Sequence, residues 1–328
     1  MEFVPIVYEH AARFVSKSPW EVSRSSELLF QAHSEAFQFY RHSPVVVGID
    51  IYNLEAEGYG AVVDRPLDNA VPSISNSVCA SAQAIPELDY PNPNGDGRIP
   101  MVIEAGERLK QEFPQADVRI PLSGPFSIAS YLLGLETLLL EALDAPDALG
   151  QALDFLVAGQ IEFCKEIAQR DLGIILFESA AAPPLLSPQI FREVVLAPLK
   201  TLIQQGSAIS DTGVPCVVGG NTVTILDAIL ETGTNYVICP LETDQKVFLE
   251  QMQAYPDVMV RVNMNSGVFT SENPDLAKVE VDRIFELVRG RRNVCIGTGV
   301  LPFEAIPGVV MKTKEYVHSK VTLTDQSD

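Results

Sequence analysis

Beyond about Asp117 the chain alternates short apolar runs with longer stretches whose apolar residues recur every three or four positions, and few folds satisfy that alternation. The runs at 117–122, 173–177, 214–218, 235–239, 258–263 and 293–297 predict strands. The stretches at 127–142, 146–170, 188–206, 222–232, 245–254 and 275–289 predict helices. Strands interleaved with helices imply right-handed crossovers and a mainly parallel sheet. Ahead of them, 19–42 predicts a helical entry, 44–50 a strand and 101–113 another helix. At 328 residues, six or more such units favour a closed sheet over an open one. The expected fold is therefore α/β, a (β/α)8 TIM-type barrel over 44–320, with an N-terminal helical extension (1–43) and a frayed tail (321–328). The proline- and glycine-rich loop from Pro86 to Gly97 is a candidate lid or interface.

Composition narrows the class of function. Hydrophobic residues make up 47% of the chain, enough for a large core and too many for a disordered protein. No apolar run approaches the roughly 18 residues that span a bilayer. The opening Met-Glu-Phe-Val-Pro lacks the basic start and apolar stretch of a signal peptide. The five cysteines (79, 164, 216, 239 and 295) are odd in number, widely spaced and set in apolar segments, which points to a reducing compartment; a cytoplasmic location is expected. A net charge of −20 argues against nucleic acid, anionic membrane and polyanionic substrates as partners. Arg289-Gly-Arg-Arg292, the nearest approach to a basic cluster, reads as a solvated turn.

In a parallel barrel the chemistry lies where strands end. The fullest such end is Ile175-Leu-Phe-Glu-Ser179, where an apolar run stops on a carboxylate and a hydroxyl; a helix then opens at Ser187-Pro188. The other ends supply Asp50, Tyr52 and Asn53; Ser123, Gly124 and Pro125 with Tyr131 a turn later; Gly219, Gly220 and Asn221; Cys239 and Glu242; Arg261, Asn263 and Asn265; and Gly297, Thr298 and Gly299. Alternation puts Arg261, Asn263 and Asn265 on one face, and a barrel interior accepts an arginine only if it is paired or near the mouth. Glu178 is the first choice for general acid or metal ligand, since an apolar strand end can raise its pKa or Arg261 can hold it ionised. The glycines at 213, 219 and 220 do not make a nucleotide-binding pattern, and Ser179 lacks the flanking glycines of a nucleophile elbow.

Five short motifs, in order, resemble the uroporphyrinogen decarboxylase superfamily, nearest its cobamide-dependent methyltransferase branch. They are Glu55-Ala-Glu-Gly-Tyr-Gly-Ala-Val-Val-Asp64, Gly124-Pro-Phe-Ser-Ile-Ala-Ser-Tyr-Leu-Leu-Gly134, Leu176-Phe-Glu-Ser179, Gly220-Asn-Thr222 leading to Ile225-Leu226, and Gly297-Thr-Gly-Val-Leu-Pro302. The resemblance runs from about Asp50 to His318 and implies a (β/α)8 barrel with its cleft at the strands' C-terminal ends. It also implies transfer of a methyl group between a small donor, of the methyl ether or methylamine type, and a corrinoid on a partner protein. A homodimer is among the assemblies it leaves open. The branch's zinc ligands, His-x-Cys and a later Cys, are replaced here by Val217, Gly219 and Val300. Zinc would need about four ligands rebuilt from other positions, with Cys239, Glu178 and His10 as candidates beside Glu242 and Asp50.

Measured against the decarboxylases, Asp50, Tyr131 and Ser179 fall at or near lining positions, Thr298 replaces a late histidine, and the N-terminal arginine pair is not recognisable. Decarboxylation of uroporphyrinogen or of a smaller acid is the alternative, and a non-catalytic corrinoid or tetrapyrrole binder a third reading. The expected site has Glu178, Arg261, Asn263, Tyr131 and Asp50 as catalytic residues, and Ser179, Asn221, Asn265, Thr298 and Tyr52 holding the substrate.

Overall fold

The alternation folds, in a computed structural model that describes residues 1–325, into eight parallel strands arranged as two four-stranded sheets. The strands are β1 (Glu2–Ile6), β2 (Val45–Val46), β3 (Val118–Ser123), β4 (Gly173–Phe177), β5 (Cys216–Val217), β6 (Tyr236–Cys239), β7 (Met259–Asn263) and β8 (Val294–Val300). One sheet runs β1-β8-β7-β6 and the other β2-β3-β4-β5. The sheets meet where β5 packs beside β6 and where Val46 joins Val4 and Ile6 in one interior cluster. A short antiparallel pair, Val63–Asp64 with Ser73–Ile74, stands apart from the barrel.

The N-terminus departs from the expected helical extension. Residues 2–6 form a barrel strand, with Glu2 opposite Cys295 and Val4 opposite Gly297. Pro5 has no N–H to give the ladder, and the register shifts there between Val4 and Ile6. The helical part begins only at Glu9 and continues into α1 (Ser26–Tyr40).

The expected helices form in order, α2 (Ile99–Glu112), α3 (Pro125–Leu133), α4 (Leu135–Asp144), α5 (Pro146–Gln169), α6 (Leu196–Ser210), α7 (Leu226–Glu231), α8 (Gln245–Gln251) and α9 (Asp275–Leu287), and a further helix not expected from sequence, α10 (Pro307–Asp325), follows β8. The single helix expected over 127–142 breaks at Gly134, whose φ of 79° is open to glycine at little cost. Among the described residues no single helix is long and apolar enough to cross a membrane; α3 and α4 pass that test only as a pair bent by 114°. Residues 321–325, expected to fray, continue α10, and 326–328 lie outside the described residues. The loop at 86–97 packs outward, with Tyr90 stacked on Phe155 of α5 at 4.5 Å, and lines no part of the central cavity.

Two apolar layers hold this arrangement. Strand residues of one parity meet the helices in the large outer core, while the other parity fills the barrel with Val4, Ile6, Ile175, Phe177, Val217 and Ile238. Which parity a residue has decides which chemistry it can reach.

Candidate active site

A cavity of about 420 Å³ opens at the C-terminal ends of the strands, a size suited to a small molecule. Its walls are mostly apolar, from Ile6, Ile49, Ile51, Phe177, Val217 and Ile238. Of the residues expected from sequence, Asp50, Tyr52, Tyr131, Ser179, Arg261 and Asn263 line it.

Arg261 sits inside strand β7, level with Cys295 and Ile238, and is therefore deeper than residues that follow strand ends. It is buried, and its Nε donates to Asn263 Oδ1 at 3.3 Å. Its guanidinium carbon lies 5.9 Å from the centroid of Tyr236, and Tyr8 and Cys295 are its other polar neighbours. Burial pushes the Tyr8 and Tyr236 phenols up, against the opposing pull of Arg261, so both stay neutral. Among the described residues no carboxylate forms an ion pair with Arg261: Glu178 is bound at the start of α3 and Asp50 by Arg98, so Arg261 does not hold Glu178 ionised. Gly297 makes the space: a Cβ there would come within 2.7 Å of Arg261 Cδ and 2.6 Å of Asn263 Oδ1.

Above Arg261 the cavity becomes polar. Tyr52 Oη lies 2.7 Å from Ser179 Oγ, which accepts from the Gly219 N–H at 2.9 Å. Asp50 follows β2 and is gripped from behind by Arg98, Nη1 to Oδ1 at 2.7 Å and Nη2 to Oδ2 at 2.8 Å. Asn53 Nδ2 donates to the same carboxylate at 3.1 Å. Burial raises the Tyr131 phenol, and the nearby Asp50 charge adds to the shift.

Glu9, missed by the sequence reading, also lines the cavity. Burial pushes its carboxyl up to about 7, with the Glu304 charge adding, so it can hold or release a proton near neutral pH. Its signal was present: Phe3-Val-Pro-Ile-Val7 is an apolar run that ends on Tyr8-Glu9-His10, the pattern recognised at every other strand. The exposed Glu242 adds a third carboxylate to the lining.

The remaining expected residues lie elsewhere, and the first choice is among them. Glu178 has the opposite parity to Phe177 and Ser179, so it points out of the barrel toward α3. There it accepts from Phe126 N at 3.1 Å, Ser127 N at 2.8 Å and Ser127 Oγ at 2.6 Å. Burial raises it to about 7 while those donors lower it, and only a glycine at 124 leaves room for the carboxylate. Glu178 thus ties a strand end to a helix start.

Cys239 is likewise on the outer face, its Sγ 4.0 Å from the Gln245 carbonyl, with burial pushing the thiol up. Thr298 accepts from Ile6 N at 3.0 Å and so joins β1 to β8. His10 is buried with Nε2 2.8 Å from Tyr40 Oη, and burial lowers it to about 4. Asn221 and Asn265 are exposed and bind Thr243 and the Gly267 N–H. The set Cys239, Glu178 and His10 therefore does not assemble as a zinc site. Among the described residues no group of three or more His, Cys, Asp or Glu could hold a metal ion.

Comparison with known proteins adds to this geometry. The family model described as uroporphyrinogen decarboxylase (URO-D) matches residues 3–310. Two curated relatives, methylcobamide:CoM methyltransferases MtaA from Methanosarcina barkeri, one from strain Fusaro, are 24% identical over 275 and 270 residues. Each match covers 79% of this chain and 76% of the relative. The solved structure of a methyltransferase from Methanosarcina mazei superposes with a TM-score of 0.79, covering 96% of this chain and 94% of that one at 18% identity, and so shares the barrel fold.

Proposed function

We propose, since the chain belongs to the uroporphyrinogen decarboxylase family, that it is a methyltransferase component moving a methyl group between a small molecule and a corrinoid carried by a partner protein. The observation that carries this reading is the match to methylcobamide:CoM methyltransferases over about three quarters of both chains. The cavity supports it. About 420 Å³ suits a small methyl ether or methylamine but is too little for a whole corrinoid, which would lie across the mouth.

When bound there, the corrinoid supplies the centre that gives or takes the methyl group. The chain's own residues would do the rest. The apolar walls would exclude water, Arg261 and Asn263 would orient the small molecule, and Tyr52 and Ser179 would meet its polar atoms. Glu9 would hold a proton at its carboxyl for the heteroatom that loses its methyl group. The residues do not fit the zinc used by the related branch, so no role is given to that metal.

A second reading, decarboxylation of a small acid, has one observation in its favour. Asp50, Tyr131 and Ser179, which match decarboxylase lining positions, do meet in the cavity. Uroporphyrinogen itself fits poorly, because Glu9, Asp50 and Glu242 would face its many carboxylates.

Mixing the protein with a reduced corrinoid protein and a panel of methyl ethers and methylamines, followed by absorbance, tests the first reading. Methylation of the corrinoid is expected. Loss of carboxylates from uroporphyrinogen III or a small acid, without methyl transfer, would replace it with the second. Tight corrinoid binding with neither reaction would leave a binding protein.

A further inference from the structure

Three strand ends meet on one wall of the cavity and set Tyr52, Ser179 and the Gly219 backbone in a hydrogen-bonded row. Tyr52 follows β2, Ser179 follows β4 and Gly219 follows β5, and all three line the cavity. Ser179 Oγ accepts the Gly219 N–H at 2.9 Å and lies 2.7 Å from Tyr52 Oη. The row is held from two sides. Phe177 meets the Tyr52 ring edge-on, with centroids 5.9 Å apart, and a Cβ at 219 would come within 3.2 Å of Ser179 Oγ. Burial raises the Tyr52 phenol, so it keeps its hydrogen near neutral pH.

Counting hydrogens shows what the row offers a ligand. Each hydroxyl has one hydrogen, and an oxygen can accept on its two lone pairs. If Tyr52 donates to Ser179, then Ser179 Oγ accepts twice and its own hydrogen is left for the cavity. If Ser179 donates to Tyr52, the phenol hydrogen is left instead. Either direction leaves one hydroxyl hydrogen over, on an oxygen polarised through the Gly219 N–H.

The same wall is where the related branch differs. The three positions that carry its zinc ligands, 217, 219 and 300, all line this cavity, and here they are Val217, Gly219 and Val300. Two aliphatic side chains and a bare backbone give a thiol no positive charge or metal ligand to ionise against. At 219 the group on offer is the N–H that binds Ser179.

We infer that Tyr52 and Ser179, polarised by the Gly219 N–H, form a one-hydrogen donor site for the substrate's heteroatom, and that this heteroatom is the oxygen of a methyl ether. When the carbon–oxygen bond breaks, its electron pair stays on the oxygen, and the hydroxyl hydrogen bond strengthens as that charge grows. The methyl group passes to the reduced corrinoid, and the oxygen takes the proton held by Glu9. A protonated or quaternary methylamine has no lone pair to accept the hydrogen and is a poor donor here. This deepens the proposed function and rests on the cavity being its substrate site.

The test is calorimetric titration of the whole protein, without corrinoid, with para-nitrophenolate, which carries the oxygen left after demethylation, and with para-nitroanisole, its methyl ether. The wild type should prefer the phenolate. Tyr52→Phe or Ser179→Ala leaves one hydroxyl in place, so each should lose only part of that preference, about twofold to tenfold. The double variant, with neither hydroxyl, should lose about tenfold to a hundredfold. A residue that only ties strand ends together would change stability and leave the preference alone. No preference in the wild type, or an unchanged preference in the double variant, would overturn the inference. If the double variant does not fold, an unchanged preference in both single variants does so. Methyl transfer failing while the phenolate preference behaves as expected would remove the proposed reaction and leave this site standing. Methyl transfer from ethers without that preference would keep the reaction and remove the site.

Discussion

Arg98 and Arg261 are both buried, at 7% and 3% exposure, yet they are built for different work. Arg98 lies behind the cavity wall in a chain of alternating charges. It grips Asp50 through both terminal nitrogens and meets Glu57 through Nε, and Glu57 in turn binds Arg24, which rests 4.4 Å from the centre of the Trp20 ring. Arg98 also donates to the Ser23 carbonyl at 3.2 Å. Its donors are used within the fold, so its charge is compensated before any ligand arrives. Arg261 has neutral partners instead, the Asn263 amide oxygen and the Tyr236 phenol, and lines the cavity. Burial alone does not tell a structural arginine from a binding one; the inventory of countercharges does.

The strongest way to break the comparison acts on the compensated side. Asp50→Asn removes a carboxylate from Arg98 and leaves a buried charge half satisfied, which should cost about 3–5 kcal/mol of unfolding free energy by denaturant titration. A cost below about 1 kcal/mol would show that Glu57 suffices and that Asp50 is free to serve the cavity. Next in size is Glu178→Gln, which should lose roughly 1–3 kcal/mol by weakening the tie to α3. KM should stay unchanged, because the side chain does not reach the cavity. A raised KM would return Glu178 to the site.

The pH dependence sharpens the contrast between walls. Glu9 and Glu178 sit near 7 and Glu55, buried against Ser123, near 8, all raised first by burial. A carboxyl raised on folding keeps its proton longer in the native state. Stability should therefore be greatest below about 4.5 with respect to these groups and decline as pH rises from there to about 7–8. Only Glu9 touches the cavity, so if it donates a proton the rate should fall above about 7, and Glu9→Gln should abolish that limb. An unchanged pH–rate profile in the variant would exclude Glu9 as the acid. The smallest effect is expected of Cys239→Ala, a small buried hydrophobe on the outer face, with no change in substrate binding and a loss of about 1–2 kcal/mol.

Most of the fold was legible, since each predicted strand from 117 onward has an observed counterpart set by apolar periodicity. The first strand carried the same apolar signal in a weaker form, because Pro5 interrupts its five-residue run and its pairing comes from the far end of the chain. The site was legible only where parity was applied. Alternation was used to group Arg261, Asn263 and Asn265; the first two face the cavity, whereas Asn265 lies past the end of β7, exposed and bound to the Gly267 N–H. The same rule, counted from Phe177, Ile238 and Gly297, sends Glu178, Cys239 and Thr298 outward, where each is tied to the backbone of a neighbouring element. Proximity to a strand end was a necessary condition for a site residue, but the face was decided one residue at a time. The link from Asp50 to Arg98 could not have been read at all, because the partners are 48 positions apart and no periodicity joins them.

The central claim is that Arg261 is held for a ligand and not for the fold, and its most direct test is the unfolding free energy of Arg261→Met beside that of Asp50→Asn. A methionine removes an uncompensated buried charge, so the variant should be as stable as the wild type or more stable by about 1–4 kcal/mol. It should also lose the stabilisation that a bound substrate gives the wild type. If instead Arg261→Met loses about 3–5 kcal/mol, as a broken internal pair does, then Arg261 is a structural residue like Arg98 and the account is contradicted.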